Sequence, residues 1–156
     1  GSFSHLETMP THMPDAFEAG TLNLPGIIGL NEGLAYIESV GMETIHNHEL
    51  ALSKTFLEGL QDIEHINVIG KQNLQDRTAV ISITIDGMDA ASIAYELEST
   101  YHIMTRVGLH CASRAHQTLG TYPEGTVRFS FGYANTLKDV EAALSALNTI
   151  VKSYKE

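Results

Sequence analysis

Hydrophobic residues between positions 26 and 60 recur every three to four positions, the spacing that places them on one face of an α-helix. Gly41 interrupts this pattern, so the segment is either one long helix with a kink or two helices in series. Residues 1–25 contain three of the four prolines and show no sustained period, which predicts an irregular lead-in. A very long helix after such a lead-in suits a connector between two domains better than a self-contained domain.

The pattern changes after Leu60 to the two-residue alternation of β-strands. Strands are predicted at 66–69, 102–105 and 126–131, and most clearly at 78–85, where four apolar side chains share one face. Helices are predicted from Asp89 to about Thr100 and from Thr136 onward, where Asp139 completes a variant of the capping box. Residues 106–125 are too polar and aperiodic for regular core structure, and long loops of this kind often carry function.

These elements predict an α+β fold. A long connector helix precedes a small two-layer α/β domain, with a three- to four-stranded, mainly antiparallel sheet packed on helices. The predicted divisions are a lead-in at 1–25, one or two connector helices at 26–60, and the small domain at 61–156.

Composition narrows the classes of function. The formal net charge of the 156 residues is −10, which repels polyanions and argues against a nucleic-acid partner. Apolar runs are too short for a membrane-spanning helix, and the N-terminus lacks the pattern of a signal peptide. A single cysteine excludes an intrachain disulfide and favours a reducing compartment. We therefore expect a soluble cytoplasmic protein that does not bind membranes.

That cysteine, Cys111, lies in the long polar loop together with several cationic side chains. A nearby cation favours the nucleophilic thiolate, and Arg106, His110 and Arg114 are close enough in sequence to act in this way. Arg128, on the strand after the loop, offers a planar guanidinium that can bind a substrate carboxylate through two hydrogen bonds. A thiol and an amino-acid-binding arginine are the chemistry that this arrangement suggests.

Other interpretations of the same residues exist. A lone cysteine is more often a small buried hydrophobic residue than a nucleophile, and an arginine on an alternating strand can be an ordinary exposed residue. His110, Cys111 and His116 match none of the usual zinc-ligand spacings, so no metal site is expected. Two further histidines, His46 and His48, face different directions on a helix and are expected at the surface.

Three motifs resemble the cysteine desulfurase and class V aminotransferase family, and they occur in the family's order. Residues 17–30 (FEAGTLNLPGIIGL) resemble the FEAGTPN and GIIGL segments, and residues 106–112 (RVGLHCA) resemble the R-x-G-x-H-C-A loop. The C-terminal segment from Val127 to Val140 resembles the V-R-x-S…Y-N-T-x-x-D-V ending. The resemblance covers nearly the whole chain and corresponds to the C-terminal part of such enzymes.

This resemblance implies a C-terminal domain of a fold-type I enzyme that uses pyridoxal 5′-phosphate. Cys111 would accept sulfur from L-cysteine as a persulfide with release of alanine, and Arg128 would hold the substrate carboxylate. His110 and Arg106 would shape the substrate-binding loop. Ser2 could belong to a glycine-rich segment that reaches the cofactor phosphate of the partner subunit, or it could be a cloning remnant.

The resemblance also implies several partners: a large cofactor-binding domain, a second subunit of a homodimer, and a sulfur-acceptor protein. None of the lysines follows a histidine as in the family's cofactor-binding S-x-H-K strand, so this chain alone is expected to be inactive. Leu22 and Ala16 replace the proline and arginine of many members, which leaves the substrate open. The alternatives are a selenocysteine lyase, a class V aminotransferase, and a non-enzymatic binding or regulatory module.

Overall fold

The computed structural model describes residues 5, 7–18 and 20–155, and the side chain of Lys155 is excluded. Nine elements follow in chain order, and they confirm the predicted α+β class: α1 (Leu24–Val40), α2 (Met42–Gln61), β1 (Ile66–Ile69), β2 (Val80–Ile85), α3 (Ala90–Tyr101), β3 (Arg106–Gly108), α4 (Ser113–Leu119), β4 (Thr126–Ser130) and α5 (Leu137–Lys155).

Two compact units divide the chain after Met42. The first unit contains α1, which begins after the N-cap Asn23, whose side chain accepts a hydrogen bond from the Gly26 N–H at 3.1 Å. Pro25 therefore lies in the first turn of a helix, where its missing N–H is tolerated, and the lead-in ends slightly earlier than predicted. α1 has no buried residue, and Gly41, with φ of 90°, separates it from α2.

The second unit is a two-layer arrangement built on a four-stranded sheet in the order β1-β2-β4-β3. All three pairings are antiparallel, as the sequence pattern predicted. One face of the sheet, called here the core face, packs with α2, α3 and α5 in a single apolar cluster. In β2, the predicted apolar side chains at positions 81, 83 and 85 are all buried on this face. The other face, called here the far face, carries Asn67, Ser82, Thr84, Arg106 and Arg128, as the strand registers require.

Two predictions about the segment between α3 and β4 are wrong. The strand expected at 102–105 instead forms at 106–108, because His102 adopts a left-handed conformation (φ 56°) and ends α3 through backbone hydrogen bonds to that helix. The segment expected to lack regular structure contains β3 and the seven-residue α4. α4 buries only His116, so it shows no apolar period that could be recognised in the sequence.

The start of α5 confirms the predicted cap. The Asp139 carboxylate accepts a hydrogen bond from the Thr136 backbone N–H at 2.7 Å and another from the Thr136 hydroxyl at 3.1 Å. Within the described residues, none of the helices combines the length and the apolar character needed to cross a lipid bilayer. How the chain is divided among the domains of a longer protein stays a prediction.

Candidate functional site

Cys111 lies in the tight turn that joins β3 to α4, and its side chain is exposed. His110 and Cys111 are both in the left-handed region, with φ of 49° and 60°, which non-glycine residues seldom adopt. The turn is closed by a hydrogen bond of 2.8 Å from the Ala112 N–H to the Leu109 carbonyl. Two consecutive strained residues at a solvent-facing thiol are typical of functional segments. The thiol is therefore not the buried hydrophobic residue that a lone cysteine more often is.

Arg128 is near the centre of β4, on the far face of the sheet. It is the register partner of Arg106 on β3 and of Ser82 on β2. The side chain is half-buried, and its Nε is buried without a hydrogen-bond partner among the described residues. Leaving a charged donor without a partner costs free energy, so a group that accepts a hydrogen bond from it would be bound favourably.

His110 lies beside these two arginines and has a similar deficit. Its Nε2 is buried and has no partner within the described part of the chain. Burial lowers the pKa of the imidazole, and electrostatic interactions with Arg128, His116 and Arg106 lower it further, against an opposing hydrogen bond to the Arg106 backbone. The lowered pKa favours the neutral imidazole, in which one ring nitrogen is able to accept a proton.

A second histidine, His116, lies buried next to this group. The sequence indicated no role for it apart from an improbable zinc ligand. His116 of α4 is 6% exposed, and its Nδ1 is 2.7 Å from the Thr121 hydroxyl. Its ring lies 5.9 Å, centroid to centroid, from the ring of His110. The sequence gives no signal for the Thr121 pairing, because neither residue belongs to a periodic apolar pattern.

The close approach of β3 and the start of β4 depends on a glycine at position 125. A Cβ at Gly125 would collide with the backbone of Gly108, so position 125 needs the absence of a side chain. Thr126 follows directly, is 1% exposed, and its hydroxyl is another buried atom without a partner in the described residues. Thr126 and Arg128 share the far face, so these two unpaired polar atoms lie on the same side of the sheet.

The structure thus brings Arg106, His110 and Arg128 within electrostatic range of one another, with Cys111 adjacent to His110 in sequence. In the described residues, no hydrogen bond joins the Cys111 thiol to either arginine. Ser2, the predicted contact to the cofactor phosphate, lies outside the described residues. His48 is not a simple surface residue as predicted: its Nε2 is 2.9 Å from the Asn135 carbonyl and its ring packs edge-on against Tyr133.

No group of three or more His, Cys, Asp or Glu side chains that could hold a metal ion occurs in the described ranges. Two of the lysines are engaged elsewhere, because Lys54 pairs with Glu58 and Lys71 donates to the Gln75 carbonyl. The unpaired nitrogens of Arg128 and His110 fit the polar groups of an amino acid. They do not provide an amine for covalent attachment of pyridoxal phosphate.

Comparison with known proteins gives a consistent result. The sequence matches the family model described as Aminotransferase class-V over residues 3–143. A probable cysteine desulfurase of Pyrococcus abyssi is 39% identical over 145 residues, which cover 93% of this chain and 35% of the relative. A probable cysteine desulfurase of Pseudomonas putida is 37% identical over 135 residues, which cover 86% of this chain and 32% of the relative.

Solved structures agree with these sequence relatives. The apo cysteine desulfurase of Thermococcus onnurineus NA1 matches with a TM-score of 0.83 and 38% identity, over 90% of this chain and 34% of that one. The cysteine desulfurase CsdA of Escherichia coli, in its S-sulfonic acid form, matches with a TM-score of 0.78 and 26% identity, over 89% of this chain and 33% of that one. The chain thus spans about a third of the length of the relatives it matches. With this family match over most of its length, the chain belongs to the class V aminotransferase family.

Proposed function

We propose that this chain is the part of a cysteine desulfurase that carries the sulfur-accepting thiol and the residue that binds the substrate carboxylate. The observation that carries the proposal is the exposed Cys111 in a strained turn, next to a half-buried group in which His110 Nε2 and Arg128 Nε lack partners among the described residues. The similar proteins described above are named as cysteine desulfurases or probable cysteine desulfurases, which supports the same assignment.

In the proposed reaction, the Cys111 thiolate attacks the sulfur of L-cysteine. An S–S bond forms as the Cβ–S bond of the substrate breaks, and the electron pair of that bond passes to Cβ, which takes up a proton to give alanine. The enzyme is left as a persulfide on Cys111. Exposure of the thiol suits the next step, in which the sulfur passes to an acceptor protein or a small thiol.

Arg128 is the proposed ligand of the substrate carboxylate. Its guanidinium can form two parallel charge-assisted hydrogen bonds, and these would satisfy a donor that is otherwise buried and unpaired. Arg106, the exposed register partner of Arg128, adds positive charge at the same edge of the sheet. His110, whose pKa is lowered by its surroundings, can in its neutral form accept a proton from a thiol or a hydrogen bond from the substrate.

Pyridoxal phosphate, when bound, supplies the electron sink that makes the Cβ–S bond of the substrate labile. We propose that the lysine that binds pyridoxal phosphate, and most other contacts to this cofactor, belong to a large domain outside this sequence. In a homodimer, Ser2 of the partner subunit would contact the cofactor phosphate. This chain alone is accordingly proposed to be inactive. A single cysteine suits the proposed cytoplasmic location, where thiols stay reduced.

Three other functions remain as alternatives to be tested. A selenocysteine lyase would use the same residues with a different substrate, whereas a class V aminotransferase would not need an exposed thiol. An independent binding module is less favoured because α1 buries none of its residues while carrying large exposed apolar side chains, at positions 27, 28, 30 and 34.

The test uses the full-length protein that contains this chain, loaded with pyridoxal phosphate. We expect L-cysteine to give alanine and, with a reducing thiol present, sulfide in equal amounts. L-selenocysteine and amino-donor and keto-acid pairs are assayed in parallel. Faster turnover of selenocysteine with no desulfuration, or transamination alone, would replace the proposed substrate or reaction.

A further inference from the structure

His116 is the only residue of α4 that is buried, yet none of the proposed chemical steps uses it. A histidine with 6% exposure cannot contact a substrate from bulk solution, and burying its polar ring costs free energy unless its nitrogens are paired. Its position five residues after Cys111, in the helix that follows the turn, suits a role in the support of the reactive segment.

Thr121 holds this histidine through contacts at both the side chain and the backbone. The Thr121 hydroxyl is 2.7 Å from His116 Nδ1, and the Thr121 N–H donates to the His116 carbonyl at 2.9 Å. Thr121 is itself buried, and its carbonyl accepts a hydrogen bond of 2.7 Å from Gly125, which packs on the β3 backbone. The imidazole of His116 is therefore anchored to the rigid turn that starts β4.

The His116 ring also lies near the ring of His110 in the candidate site. The rings of His116 and His110 are 5.9 Å apart and inclined at 41°. His110 in turn lies within electrostatic range of Arg128. A hydrogen bond thus links Thr121 to His116, the His116 ring lies near that of His110, and an electrostatic interaction couples His110 to Arg128. Because His110 precedes Cys111 directly, the orientation of its ring is coupled to the strained turn that presents the thiol.

We propose that His116 is a positioning residue: anchored by Thr121, its ring fixes the imidazole of His110 beside Arg128, so that the amino-acid site is preformed. This inference rests on the proposed function for its consequence in catalysis. Its structural part, the orientation of His110, can be tested without desulfurase activity.

Three substitutions isolate the contact in the full-length protein. Thr121→Val removes the hydroxyl at similar volume, and Thr121→Ser restores it. Thr118→Val is the matched control. Thr118 lies on α4, as His116 does, but its side chain is exposed and its hydroxyl donates only to the Arg114 carbonyl. We expect Thr121→Val to raise KM for L-cysteine about five- to tenfold with kcat changed less than about twofold. Thr121→Ser and Thr118→Val should behave like the parent protein.

A second measurement reads His110 directly. In protein labelled with nitrogen-15 histidine, the imidazole signals of His110 should change in Thr121→Val and return in Thr121→Ser. Unchanged KM and unchanged His110 signals in Thr121→Val would overturn the proposal, as would an equal effect of Thr118→Val. If Thr121→Val does not fold, His116→Asn is decided by the same two measurements. A parent protein that does not desulfurate L-cysteine refutes the proposed function alone, and the His110 signals then decide whether His116 orients that ring.

Discussion

The two faces of the sheet differ in whether their buried side chains lack hydrogen-bond partners. On the core face, Ile81, Ile83 and Val127 are fully buried among apolar side chains of three helices. On the far face, Thr126 and Arg128 have buried polar atoms that lack hydrogen-bond partners in the described part of the chain. The same strand, β4, contributes to both faces with alternate residues.

This difference separates stability from function within a single strand. Apolar burial on the core face stabilises the fold and leaves nothing for a ligand to complete. Unpaired donors and acceptors on the far face cost free energy in the unliganded protein, and a bound amino acid can recover that cost. A buried, unsatisfied polar atom beside an exposed thiol is therefore a better indicator of the site than the cysteine by itself.

The largest effect is expected from Cys111→Ala. Removing the only group proposed to accept sulfur should lower alanine release from L-cysteine on the order of 1,000-fold or more in the full-length enzyme. Because the side chain is exposed, the free energy of unfolding should change by less than about 0.5 kcal/mol. Coupled assay of alanine and denaturant unfolding measure both quantities. Wild-type turnover in this variant would remove Cys111 from the reaction.

On the core face, Ile83→Ala should act on stability alone. The cavity left among the apolar side chains should destabilise the fold by about 2–5 kcal/mol, as seen by chemical denaturation. Thr84→Ala, one position along β2 and on the far face, is the matched control and should cost less than about 1 kcal/mol. Equal losses at the two positions would contradict the assignment of the faces.

Arg128→Ala should lower catalytic efficiency and leave stability largely unchanged, the reverse of Ile83→Ala. Loss of a charge-assisted pair with the substrate should lower kcat/KM about 10- to 150-fold, mainly through KM. Unfolding free energy should not fall comparably, since the Nε of the guanidinium has no hydrogen bond to lose among the described residues. Lys138→Ala, which removes an exposed charge at the start of α5, serves as the control. Steady-state kinetics that are unchanged in Arg128→Ala would exclude it as the carboxylate ligand.

The smallest effect concerns the cap of α5, which covers the core face. Hydrogen bonds from the Thr136 backbone and hydroxyl hold the pKa of Asp139 below its ordinary value. A carboxyl whose pKa is lowered in the native state stabilises the fold at pH values above its pKa in the unfolded state, which is about 3.9. This contribution is lost as the pH falls through the native pKa. Denaturation between neutral pH and pH of about 3 should therefore depend less on pH in Asp139→Asn. An identical pH dependence in both proteins would show that the cap does not contribute.

The sequence predicted the elements whose side chains repeat with a clear period. β2 alternates strictly, and α5 carries both an apolar stripe and the Thr136–Asp139 cap, so both were placed within about two residues. β3 was predicted four residues too early and α4 was missed, because a three-residue strand and a seven-residue helix are too short to show a period. Their positions depend on tertiary contacts, such as the packing of Gly125 on Gly108.

The candidate site could likewise be predicted only in part. Arg106, His110, Cys111 and Arg128 were named from motifs that lie close together in the sequence. The structure makes Arg106 and Arg128 register partners on β3 and β4, and puts the other two in the turn after β3. The support by His116 and Thr121 could not be read from the sequence, because a hydrogen bond between two polar residues five positions apart leaves no pattern. The strain at His110 and Cys111 was equally hidden, since neither residue is a glycine.

The most direct test of the account is to locate the sulfur. The full-length protein is incubated with L-cysteine without a reducing thiol, alkylated, digested, and analysed by mass spectrometry of the peptide that contains Cys111. The account predicts one additional sulfur atom on Cys111 in the protein treated with L-cysteine, and none after treatment with L-alanine. Release of alanine with no additional sulfur on Cys111 would contradict it.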